Sequence, residues 1–187
     1  EEPYFKGIDY QVLANTKENE GDYNAAIDFY SKAIAVLPDS FNLYYLRGKL
    51  KRKLLKYDEA IGDYDKTLQL KPQFIEAIVS RGLVKALKND NEAALKDYSL
   101  AIDIDSTYAL AYYNRGVLKD NLNNIQDAIN DFSKAIVIDP TYVKALLARA
   151  DAYMQIGIKN KACEDYITAE KLGNTIATSK RILNCTN

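Results

Sequence analysis

The chain reads as an all-α solenoid of five helix-turn-helix repeats closed by a C-terminal helix, and three observations predict it. First, the sequence repeats every 34 residues without insertion or deletion. Asp22-Tyr23-Asn24-Ala25-Ala26-Ile27 aligns with Tyr57-Asp58-Glu59-Ala60-Ile61, and the match returns at Ala93-Ala94-Leu95, Asp127-Ala128-Ile129 and Lys161-Ala162-Cys163. Second, Pro38, Pro72 and Pro140 share one place in the repeat, where a missing N–H and a fixed φ end a helix. Third, small residues hold fixed columns: Ala14, Gly48, Gly82, Gly116 and Ala150, then Ala26, Ala60, Ala94, Ala128 and Ala162. Small side chains facing each other let two antiparallel helices approach closely.

Each repeat carries two helical patterns. The first runs over roughly 8–20, 41–53, 75–88, 109–121 and 143–156, and the second over roughly 23–36, 57–70, 91–104, 125–138 and 159–171. Bulk comes from Tyr30, Tyr64, Tyr98, Phe132 and Tyr166, and from Tyr10, Tyr44, Ile78, Tyr112 and Leu146. Another small column, Ala33, Thr67, Ala101, Ala135 and Ala169, marks where the next repeat docks. The units are 7–40, 41–74, 75–108, 109–142 and 143–174, forming one domain. Residues 1–6 are expected as a tail, with Tyr4 and Phe5 either packed on the first unit or loose. Residues 175–187 are expected as a capping helix and tail, with Ile176, Ala177, Ile182 and Leu183 turned inward and Ser179, Lys180 and Arg181 outward.

Composition narrows the function classes. With 187 residues, 48% hydrophobic and 27% charged, the chain suits a well-packed repeat protein. A formal net charge of −1 supplies no global field for nucleic acid or an anionic membrane. No apolar run approaches the ~20 residues of a membrane span. There is no His, which excludes His-dependent general-base, metal and Ser-His chemistry. Two Cys without other good ligands make no zinc site, and no phosphate-binding glycine motif occurs, so neither metal nor cofactor is expected.

The stretch Gly21-Asp22-Tyr23-x-x-Ala26-Ile27-x-x-Tyr30-x-x-Ala33-Ile34-x-x-x-Pro38, recurring in register over about residues 7–174, resembles the tetratricopeptide repeat family. The resemblance implies a right-handed superhelix whose concave groove is lined mainly by the first helices. The aromatic expected near the middle of the first helix is replaced by Lys17, Lys51, Lys85 and Lys119, and only Tyr153 keeps it. Some members of the family clamp a partner's C-terminal carboxylate. Mapping that clamp here gives Val79, Leu83, Asn114, Lys144 and Ala148, or Gln11, Asn15, Leu46, Glu76 and Ser80, and neither set supplies the cations.

Two charged columns run through four repeats. Arg47, Arg81, Arg115 and Arg149 are each followed sixteen residues later by Asp63, Asp97, Asp131 and Asp165, while the first repeat has Leu13 and Phe29 in those places. Columns that vanish together behave as partners, so ion pairs fixing helix register are the favoured reading, with ligand-gripping arginines the alternative. The lysines four residues after each Arg read as stems covering the helix seam, or as a stripe facing an acidic partner.

The groove is assigned to first-helix positions not used for packing: Asn42, Tyr45, Lys49, Arg52 and Lys53, then Tyr113, Asn114, Asn121, Lys144 and Asp151. Flat rings and an amide suit an extended peptide. Cys163 sits in an apolar column and reads either as a buried thiol or as half of a Cys163–Cys185 disulfide pinning the cap. A disulfide favours export, with which a Glu1-Glu2-Pro3 start is consistent; without one the cytoplasm is the expectation. The Asn184-Cys185-Thr186 triplet also fits a glycosylation acceptor. The expected function is non-catalytic binding of a peptide or helix of another protein, with homo-oligomer formation the alternative.

Overall fold

One backbone position per repeat decides where the chain reverses. Gly21, Leu55, Asn89, Asn123 and Gly157 all take positive φ, between 61° and 82°. Each ends a first helix in the left-handed conformation, which glycine and asparagine tolerate best. The computed structural model describes residues 2–185, and of 2–5 it describes the backbone alone. Among the described residues there are eleven helices and no strand: an all-α repeat solenoid.

The helices are α1 (Glu2–Asn19), α2 (Tyr23–Val36), α3 (Phe41–Lys53), α4 (Tyr57–Leu70), α5 (Ile75–Leu87) and α6 (Asn91–Ile104). They continue as α7 (Ala109–Asn121), α8 (Ile125–Ile138), α9 (Val143–Gln155), α10 (Lys159–Lys171) and α11 (Thr175–Cys185). α1 begins at Glu2, not near residue 8, so the expected tail is mostly helix. Pro3 lies in the first turn, where an N–H has no intrahelical acceptor to lose. The packing of Tyr4 and Phe5 lies outside the described side chains, and Thr186 of the glycosylation triplet lies outside the described residues.

Side chains close connections between repeats. Asp105 Oδ1 accepts from the backbone N–H (2.8 Å) and hydroxyl (2.6 Å) of Thr107, and Asp139 Oδ1 takes the same two bonds from Thr141 (2.9 and 2.7 Å), so this turn closes alike around Ser106 and around Pro140. Asn174 Oδ1 accepts from the Ala177 N–H at 2.8 Å and so caps α11.

Two compact units are present, one ending at Asp97 and one starting at Tyr98. In the first, α1 packs on α2, α2 on α3, α3 on α4, and α5 on both α3 and α4. Its core joins Ala14, Ala26, Tyr30, Ala33, Leu43 and Leu50, with a second cluster at Ala60, Tyr64 and Val84. Gly48 is small for a reason: a Cβ there would lie 2.9 Å from Tyr64 Cε1 and 3.1 Å from Asp63 Cβ. In the second unit α7 packs on α8 and α9, α8 on α9, α9 on α10, and α10 on α11. Ala128, Ile129, Phe132 and Ala152 form one core cluster, and Ala150, Ala162 and Tyr166 another.

The cap is rotated from its expected setting. Ala177 is fully buried, but Ile176, Ile182 and Leu183 are 57%, 52% and 80% exposed. Polar contacts set the rotation: Lys180 reaches Asp151, and Arg181 Nε donates to Glu170 at 2.6 Å. Lys180 and Arg181, assigned outward, therefore hold the helix in place, while Ser179 is exposed as expected. Cys163 and Cys185 are bonded, with Cα atoms 5.8 Å apart, fastening the end of α11 to the start of α10.

Candidate binding faces of the first helices

The charged columns meet. Arg47 Nε and Nη2 donate to Asp63 Oδ2 and Oδ1 at 3.0 and 2.6 Å, and the same two-pronged pair recurs at Arg81–Asp97, Arg115–Asp131 and Arg149–Asp165. All four carboxylates are buried, at 4–5% exposure. Hydrogen bonds to Asp131 and Asp165 hold Arg115 and Arg149 above their ordinary pKa. A guanidinium occupied in this way has little left for a ligand.

Two further contacts were not read from the sequence. The third arginine nitrogen, Nη1, donates to the preceding repeat's second helix: Arg47 to Ser31 (2.9 Å), Arg81 to Asp65 (2.7 Å), Arg115 to Ser99 (3.1 Å) and Arg149 to Ser133 (3.0 Å). These acceptors form their own 34-residue column, sixteen residues before each arginine, and that spacing was the signal. The lysines also close onto the aspartates: Lys51 on Asp63 (2.9 Å), Lys85 on Asp97 (2.8 Å) and Lys119 on Asp131 (2.8 Å). Their ammonium groups are therefore neither freely solvated nor offered as a stripe. In the fifth repeat Tyr153 takes the lysine's place, and Arg149 lies over its ring.

Of the groove residues, Tyr45 and Tyr113 sit in matching surroundings, one in each unit. Tyr45 meets Phe74 edge-on at 5.0 Å between ring centres and Tyr64 at 6.1 Å. Tyr113 meets Tyr142 at 5.1 Å and Phe132 at 6.1 Å. Both phenols are half-buried, and burial raises their pKa. Phe74 and Tyr142, each at the head of the next first helix, were missed, although they stand two periods apart. Asn42 and Asn114, on the same helices as Tyr45 and Tyr113, are half-buried, and Asn121 and Lys144 are exposed.

The remaining groove positions differ. Lys49 lies over the Tyr45 ring, with Nζ 5.7 Å from its centre. Lys53 is tied to Tyr23, donating to its hydroxyl at 2.6 Å. Asp151 accepts from the Tyr166 hydroxyl at 2.6 Å and from Lys180, so it serves the cap. Arg52 leans on Tyr64 and opposes the rise that burial imposes on its pKa, which reaches about 12. Among the described residues no cluster of His, Cys, Asp and Glu is placed to hold a metal ion, and no helix is long and apolar enough to cross a membrane.

The comparisons with known proteins agree with this geometry. Tetratricopeptide repeat models match residues 10–39, 41–74 and 109–142, and a TPR repeat model matches 82–119. No curated protein matches the chain. Among solved structures, MamA is 25% identical over 89% of this chain and 97% of its own, with a TM-score of 0.77. A tetratricopeptide repeat protein from Parabacteroides merdae is 21% identical over 94% of this chain and 71% of its own, with a TM-score of 0.80. YrrB, described as a TPR protein with an unusual peptide-binding site, is 20% identical over 90% of this chain and 87% of its own, at a TM-score of 0.67. With recurrent matches along the sequence and one fold in common, the chain belongs to the tetratricopeptide repeat family.

Proposed function

We propose that the protein is a non-catalytic holder of other proteins, taking an extended segment of a partner on the first-helix face of each unit. Tetratricopeptide repeats generally mediate protein–protein interaction, and the peptide-binding site of YrrB is a precedent on the same fold. The observation that carries the reading is the three-ring cluster present once per unit, Tyr45–Phe74–Tyr64 and Tyr113–Tyr142–Phe132. In each, the outer tyrosine is braced by two rings, so it offers flat area at little entropy loss on binding. Asn42 and Asn114 supply amides able to satisfy both backbone groups of a passing strand. Asn121 and Lys144 flank the second unit's face.

The test uses peptides selected from a random extended library on the full chain. Tyr113→Ala and Tyr45→Ala are expected to weaken captured peptides by about thirtyfold, the effect of a 2 kcal/mol anchor, with helicity unchanged. Unchanged affinity in both variants refutes the faces.

Self-association has one observation in its favour: Ile176 and Leu183 of α11 are 57% and 80% exposed. Light scattering over a range of concentrations decides it, and a strict monomer ends it. The Cys163–Cys185 bond makes an oxidising compartment the fitting place of work.

A further inference from the structure

The closing helix turns its apolar side to solvent and its polar side to the protein. From Ile176 onward the exposed residues of α11 are Ile176, Ser179, Ile182 and Leu183, three of them large and apolar. Their spacing of three and four places them along one stripe. Ala177 is the one buried residue of α11 among those described, and Thr178, Lys180, Arg181, Asn184 and Cys185 are half-buried beside it. The neighbouring α10 buries Ala162, Tyr166 and Ala169 and leaves Lys159, Lys161 and Lys171 exposed.

Little besides a covalent bond holds α11 in this setting. The Lys180–Asp151 and Arg181–Glu170 pairs lie part-open to water, with side chains 28–41% exposed, and pairs so placed stabilise little. Against them stand three large apolar side chains left in water, although an apolar seat lies beneath the helix. Leu146 and Ala169 pack with Ala177 there, and Leu147 and Met154 are only half-buried.

Cys185 decides between the two faces. It follows Leu183 by two residues, or about 200° around the helix axis, and Ile176 by nine, or about 180°. It therefore lies opposite the apolar stripe. A helix that buries the stripe carries Cys185 away from Cys163, so the observed bond and a buried stripe exclude each other.

We propose that α11 has two settings, selected by the redox state of Cys163 and Cys185. With the bond closed, Ala177, Lys180 and Arg181 face the protein and the stripe faces solvent. With the bond open, α11 turns by about half a revolution and seats Ile176 and Leu183 beside Leu147 and Met154. The turn Leu172–Gly173–Asn174 absorbs the motion. Opening takes a dithiol, which gives two electrons and two protons: the S–S bond breaks, two thiols form, and the dithiol closes into its own disulfide. Closing runs the exchange backwards with a disulfide oxidant. Both cysteines keep some exposed surface, where an attacking thiolate has access. One helix with two packings, selected by one bond, is a bistable element. Only the oxidised chain offers the stripe to solvent.

The chain has no tryptophan, so a single introduced indole reports its own surroundings. Leu183→Trp and Lys180→Trp variants of the full chain are titrated with acrylamide, first oxidised and then reduced with a dithiol. On reduction, quenching should fall severalfold in Leu183→Trp and rise severalfold in Lys180→Trp. Adding Cys163→Ser and Cys185→Ser to each should give the reduced values with no reductant present. Circular dichroism checks that each variant folds, and Ser179→Trp, on the same stripe, replaces Leu183→Trp should that one fail. A rise in both reporters means that the freed helix unravels, and overturns the second setting. No change in either means that polar contacts alone hold α11, and a change in only one is not a rotation; both results refute the proposal. Serine variants that keep the oxidised values refute it too, since the bond is then not the selector.

Discussion

The first and second repeats share a backbone plan and spend their polar groups on opposite sides of it. In the first repeat the Arg–Asp flank is apolar, Leu13 with Phe29, and Tyr10 stacks on Phe29 at 6.5 Å. Its tyrosine hydroxyl is satisfied by Asn15. In the second repeat the flank is charged and complete, with Arg47 and Lys51 on Asp63 and Arg47 also on Ser31, and the tyrosine hydroxyl on the other side has no hydrogen-bond partner. A polar set stabilises a helix pair when every member is present, and an incomplete set leaves a buried group unpaired at a cost.

The largest effect separating the two repeats should come from Asp63→Ala. It strands two cations whose side chains are only 17% and 12% exposed, and should cost about 3 kcal/mol, read as a drop in the denaturation midpoint. Phe29→Ala at the matching place should instead lose only the packing of a partly buried ring. If Asp63→Ala proves no worse than a surface change, the completeness argument fails.

Next comes the paired substitution Tyr30→Phe and Tyr64→Phe. The first removes a made hydrogen bond and should cost about 1 kcal/mol; the second removes an unmade one and should be neutral or stabilising. Equal losses would erase the distinction between the repeats.

Leu55→Gly should raise stability by about 0.5–1 kcal/mol. Leu55 holds φ at 61° while 70% exposed, in the position that the first repeat gives to Gly21. Unchanged stability would mean that the added freedom of the unfolded chain cancels the relief.

The smallest effect lies at alkaline pH. Desolvation raises Tyr64 to about 12, with Arg52 opposing it, whereas desolvation and Glu18 together push Tyr30 higher still. A phenol raised in the fold contributes stability that is present below its unfolded pKa near 10 and is lost as pH rises through the folded value. Ultraviolet titration should therefore show Tyr64 ionising before Tyr30, with stability falling between about pH 10 and 12. Arg52→Gln should move Tyr64 later.

Much of this was written in the sequence because a period repeats its evidence. Five alanines at one column identify a helix seam more securely than one alanine does, and two columns absent from the same repeat reveal a partnership. The serine and aspartate acceptors behind each arginine carried the same periodic signal, although polar surface residues did not draw notice. Two other features had weaker signals. The setting of α11 depends on Asp151 and Glu170, and its own apolar residues pointed to the opposite rotation. The left-handed turn was visible at Gly21 and Gly157 but hidden at Leu55, where the fold overrides the residue's preference.

Each arginine grips an acceptor sixteen residues behind it and another sixteen ahead, and this makes whole periods interchangeable. Were residues 41–74 excised as a block, Arg81 would find Ser31 where it now finds Asp65, just as Arg115 finds Ser99. The loss of one turn residue would misalign the grip that spans that turn and leave the other in register. Such a chain can lengthen or shorten by complete cassettes while its joints stay chemically the same.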